Sequence, residues 1–63
     1  MSSKNKEKFI KIYANLLIGV RQEIVLVLED NKPISWDVAY NEIRNDTPLG
    51  DIILEKLKKL EII

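Results

Sequence analysis

The sequence predicts an all-α chain: a single domain of three to four helices, spanning residues 1 to 63, in which a long N-terminal helix is followed by two shorter ones. Two observations predict it. Apolar residues recur at spacings of three and four through most of the chain, the period of a helix with one buried face. Only two stretches break that period, "EDNKPIS" at 29 to 35 and "NDTP" at 45 to 48, both rich in residues that favour turns. No repeat, low-complexity linker or second composition is present.

The first helical stretch runs from Lys4 to about Asp30 and spaces Phe9, Tyr13, Leu16, Leu17, Val20, Ile24, Val27 and Leu28 along one face. Gly19 interrupts it. A continuous helix would carry that glycine at a cost of about 1 kcal/mol relative to alanine; the alternative is two helices divided there. "EIVLVLED" at 23 to 30 has a second reading as a short buried strand, being rich in β-branched residues. Helix is favoured because the period continues from upstream and no alternating hairpin partner is apparent. With Val25 and Leu26 also apolar, this segment is expected at the centre of the core.

The second helix is expected to start at Ser35 as N-cap, with Trp36, Ala39, Tyr40 and Ile43 on its apolar face. Asp37, Asn41, Glu42 and Arg44 lie away from that face. Small Ala39 would let another helix approach closely. The third has the clearest start: Thr47 as N-cap, Pro48 at the first helical position, and Asp51 in the first turn, where a carboxylate suits the helix dipole. Leu49, Ile52, Ile53, Leu57 and Leu60 are its expected buried stripe, and Glu55 and Lys59 a supporting pair on the outside.

A greasy helix, a short helix introduced by Pro33-Ile34-Ser35, and a Pro-started helix ending "ILEKLKKLEII" resemble the trihelical helix-turn-helix core of winged-helix domains, over about residues 20 to 63. Ile62 and Ile63 would stand where such proteins enter the first wing strand, so the likeness is to a core lacking the wing. The resemblance implies a third helix that enters the major groove and a neighbourhood of nucleic acid. Asn45 would take the left-handed turn position where such turns often carry glycine. The third helix is poor at reading bases, however: Thr47, Pro48, Leu49, Gly50 and Asp51 stand where Arg, Lys, Asn or Gln are wanted, and Asp51 would face phosphate with the wrong charge.

Composition narrows the chemistry. The chain has no Cys and no His, hence no thiol nucleophile, imidazole base or Cys/His zinc site. Asp51 with Glu55, and Glu29 with Asp30, are carboxylate pairs without a Gly-rich loop or histidine, and solvated surface explains both. No enzymatic activity, metal or cofactor is expected. Ten basic and ten acidic residues cancel, so no overall charge draws the chain to nucleic acid. Lys4, Lys6, Lys8 and Lys11 make the first eleven residues locally basic, and with Lys58 and Lys59 are the candidate phosphate contacts; a frayed, solvated helix start is the plainer reading. Rich Ile, Lys and Glu lean toward a thermophile-like composition, against which stand five Asn residues.

A membrane-surface helix at "KNKEKFIKIYANLLIGV" is disfavoured because the core needs that apolar face. No apolar run reaches the length of a membrane span and no signal-peptide pattern opens the chain, so a cytoplasmic protein is expected. Trp36 and Tyr40 could form a stacking platform for single-stranded bases, but only Arg44 lies near in sequence, and core packing is the expected role.

So small a chain buries a modest core and gains from association. Leu54, Ile62 and Ile63, with Ile18, Val25 and Leu26, exceed what three short helices can cover and are the candidate protein-contact residues. The functional expectation is a non-enzymatic interaction module, an accessory subunit of an archaeal-type assembly such as a polymerase or transcription complex, by fold analogy. A dimeric DNA-binding regulator and a homodimeric four-helix bundle are the alternatives.

Overall fold

The computed structural model describes residues 3 to 63 and corrects the predicted class. The chain is a small mixed α/β domain: α1 (Ser3–Ala14), a single 3-10 turn (Val20–Gln22), a hairpin of β1 (Ile24–Val27) and β2 (Pro33–Ser35), then α2 (Trp36–Arg44) and α3 (Pro48–Lys59). The long N-terminal helix does not form. It ends at Ala14, well before Gly19, and the segment expected to continue it turns back as a sheet.

Several local forces end it. Past Ala14 the sequence offers Ile18, Gly19, Val20, Ile24, Val25 and Val27, all weaker helix formers than Leu or Ala. The last turn tightens, with Leu16 N–H donating to Tyr13 C=O, and Arg21 reaches back to the Ala14 carbonyl. Gly19 itself keeps ordinary right-handed angles, φ −64° and ψ −31°.

Residues 28 to 32 join β1 to β2, with Leu28 and Lys32 bonded at the base and Glu29-Asp30-Asn31 forming a three-residue tip. Asn31 N–H donates to Leu28 C=O, Leu28 N–H donates to Lys32 C=O, and Asn31 takes φ 63°. That is a turn followed by a left-handed residue, the usual way three residues close a hairpin, and Asn tolerates that conformation better than most. The register pairs Ile24 with Ser35, Leu26 with Ile34 and Val27 with Pro33, leaving Val25 as an extra residue in a bulge. Leu26 and Ile34 are thereby turned inward together.

The two C-terminal helices start as expected. The Ser35 hydroxyl accepts from Val38 N–H, and the Thr47 hydroxyl accepts from Gly50 N–H with Pro48 at the first helical position. The turn between them differs in one detail. Asn45 has φ −90° and the left-handed residue is Asp46, φ 56°. Asp46 N–H donates to Ile43 C=O and Thr47 N–H to Glu42 C=O, a Schellman closure that satisfies the last carbonyls of α2. The same closure ends α3: Glu61, at φ 60°, donates to Lys58 C=O and Ile62 to Leu57 C=O.

The core consists of Phe9, Leu26, Ile34, Ala39, Ile43, Ile53, Leu54 and Leu57, with Tyr13, Val25, Leu28, Trp36, Tyr40, Leu49 and Ile63 packed against it. All three helices and both strands contribute. Ala39 is fully buried in the core, and a close approach of α2 and α3 occurs at Gly50. A Cβ on Gly50 would lie 2.4 Å from the Glu42 carbonyl oxygen and 3.0 Å from Ile43 Cα, so only glycine permits this spacing.

Candidate interaction surface

An aromatic ladder joins α1 and α2, running from buried Phe9 to half-buried Tyr13, Trp36 and Tyr40. Phe9 stacks on Trp36 with centroids 5.8 Å apart, and Tyr13 lies nearly parallel to Tyr40 at 4.1 Å. Arg21, brought back by the 3-10 turn, places its guanidinium 4.4 Å from the Tyr13 centroid, and Arg44 stands 6.0 Å from that of Tyr40. The Tyr13 hydroxyl donates to Asp37. That hydrogen bond, with burial and the Asp37 charge adding to it and Arg21 opposing it, raises the phenol above its ordinary pKa.

Basic residues therefore accompany these rings more closely than sequence spacing suggested. Even so, both faces of Tyr13 are taken, one by Tyr40 and one by Arg21, and no free face is left there for a base. The ladder fastens α1 to α2.

The candidate phosphate contacts fall on two elements, α1 and α3. Lys4, Lys8 and Lys11 are exposed along α1, spaced four and three residues apart. Lys6 is bound to Asp46 at 2.9 Å, which sets this end of α1 beside the turn that opens α3. Lys58 and Lys59 lie at the far end of α3, about 15 Å further along the helix at 1.5 Å per residue. Asp51 is exposed in the first turn of α3 and Gly50 is buried.

The candidate protein-contact residues divide. Leu54 is 3% exposed and Leu26 is buried with it, so neither is available to a partner; both belong to the core. Val25 and Ile63 are half-buried against that core. Ile18 and Leu17 are 76% and 77% exposed in the link after α1, and Ile62 is exposed just past α3.

The expected stripe of α3 is rotated. Gly50, Ile53, Leu54 and Leu57 face inward, Leu49 is half-buried, and Ile52 and Leu60 are 47% and 60% exposed. At about 100° per residue, the apolar positions from Ile52 round to Leu54 cover an arc of roughly 200°. The rest of so small a molecule covers only part of it. Residues 52, 56 and 60 follow one another by single turns along the open flank. Between the two exposed apolar side chains, Lys56 extends its Nζ to 3.1 Å from Glu29 Oε2 in the hairpin loop. Sequence reasoning missed this grouping. It assigned Ile52 and Leu60 to the core and Glu29 to isolated solvated surface; the breadth of the apolar arc was the available signal.

Among the described residues no group of carboxylates is arranged to hold a metal ion, and no helix is long and apolar enough to cross a membrane. Compared with protein-family models, curated proteins and solved structures, the chain matches none.

Proposed function

We propose that this chain works by protein contact, without catalysis, as a small subunit that docks through the open flank of α3. The observation that carries the reading is the pair Ile52 and Leu60, exposed one turn either side of Lys56 on a helix whose other apolar residues form the core. Apolar side chains held on a rigid, twice-capped helix lose little entropy when covered, which favours their use in docking. A larger assembly, including one that handles nucleic acid, is the setting this reading fits.

Affinity retrieval from extracts of the source cells tests it, comparing the natural chain with an Ile52→Glu, Leu60→Glu variant. The variant is expected to keep its helical circular dichroism while losing the proteins retrieved by the natural chain. Identical retrieval by both would sink the reading.

A DNA-binding regulator is the second reading, supported by the three exposed lysines of α1. Its test is a titration against duplex DNA over a range of salt. Binding whose logarithm falls linearly with that of salt, with a slope reduced by Lys4→Gln, Lys8→Gln and Lys11→Gln, would support it. Absence of binding at low salt would remove it.

A further inference from the structure

The open flank of α3 is neutral, and each half of its ionic pair is displayed beside the other. Lys56 lies at its centre, Glu29 is fixed against it from the hairpin loop with its side chain 90% exposed, and Ile52 and Leu60 stand about 6 Å to either side along the helix axis. A phosphate surface would meet Glu29 with repulsion. A strongly acidic or basic protein would satisfy one of the two charges and oppose the other.

A second copy of the same patch satisfies both. In a twofold contact each residue meets a residue of the same patch on the other molecule, so a self-complementary surface is required. With two α3 helices antiparallel about an axis near Lys56, Ile52 of each copy falls opposite Leu60 of the other. The contact then requires each Lys56, which meets its twin near the axis, to be bridged by the Glu29 of the second copy as well as by its own. One further observation agrees: the formal charge of the chain is zero, so no net repulsion opposes approach of two copies.

We infer that the occupant of the α3 flank is a second copy of this chain, joined through a twofold interface that shares Glu29 and Lys56 between the copies. The inference rests on the docking role proposed above and specifies its partner.

Charge exchange tests it with the full chain. Glu29→Lys leaves two lysines on the patch and Lys56→Glu leaves two glutamates, so each variant alone repels its own kind. Mixed, they restore every cross-pair between copies while each molecule's internal pair stays broken. By sedimentation equilibrium and native mass spectrometry, the natural chain is expected as a dimer. Each single variant should dimerise at least about tenfold more weakly, a loss of roughly 1.4 kcal/mol, and the equimolar mixture should recover a heterodimer. A mixture that associates no better than the separate variants would overturn the shared pair. A natural chain still monomeric at about 1 mM, the weak end of specific association, would overturn the second copy as occupant. Neither result touches the docking role, which fails only if Ile52→Glu, Leu60→Glu retrieves the same proteins as the natural chain.

Discussion

The α2–α3 pair and the segment from Asn15 to Ser35 are close in length and similarly apolar, yet one follows its local signals and the other does not follow its period. In the pair, each helix begins on a side-chain cap and ends on a Schellman turn, so residues within one or two turns of each boundary determine it. In the segment, spacings of three and four continue through Leu17, Val20, Ile24 and Val27, but no cap or turn holds a helix there. The outcome is set by Leu26 and Ile34, which reach the core together only when the chain folds back as a hairpin. Periodicity without boundary signals is therefore the weaker guide.

The largest expected effect comes from Leu57, fully buried where α3 meets the core. Leu57→Ala should cost about 2–5 kcal/mol in urea unfolding, a transfer loss plus a cavity. If it costs no more than an exposed-site change such as Leu17→Ala, the core has been placed wrongly.

Gly50→Ala comes next. Alanine favours a helix by about 1 kcal/mol over glycine, but here its methyl would press on the Glu42 backbone carbonyl, which cannot move aside as a side chain can. Overpacking of that kind should give a net loss of about 1–3 kcal/mol. A stabilised variant would mean that α2 and α3 are less close than 2.4 Å implies.

The three left-handed residues divide the two regions more finely. Asn31 closes the hairpin and Glu61 closes α3, at nearly the same φ. Glutamate lacks the short side chain that eases Asn into this conformation. Glu61→Gly should therefore raise thermal stability by up to about 1 kcal/mol, and Asn31→Gly by clearly less. Equal gains would show that asparagine gives the hairpin no local advantage.

The smallest effect at neutral pH is expected from Tyr13→Phe, which removes the bond to Asp37 while keeping the stack on Tyr40. The folded state holds the phenolic proton more tightly than the unfolded chain does. Its contribution is complete below about pH 10 and is lost as pH rises through the higher folded pKa. A plot of melting temperature against pH should fall less steeply above pH 10 for the variant. Parallel curves would argue against the Tyr13–Asp37 bond.

The legible part of the fold was what short-range chemistry dictates: Ser35 and Thr47 as caps, Pro48 at the helix start, and Trp36, Ala39, Tyr40 and Ile43 on one face of α2. The hairpin carried a local signal too. Glu29-Asp30-Asn31 could be read as a three-residue loop, but its partner strand is only Pro33-Ile34-Ser35, too short for an alternating pattern to stand out. The rotation of α3 was not legible, since both Leu54 and Leu60 fit an amphipathic helix and their placement depends on what surrounds them. The candidate surface suffered for the same reason. Leu26 and Leu54 are internal, while Lys56 and Glu29, 27 residues apart, meet only after the hairpin has formed.

Trp36 is the only tryptophan of the chain, at the start of α2 with Phe9 of α1 stacked on it. Its indole is thus a built-in optical reporter of a single joint. Release of α1 would expose the ring to water and shift its emission to longer wavelength while α2 and α3 stayed helical. Fluorescence and circular dichroism followed on one sample would then separate departure of the first helix from melting of the other two.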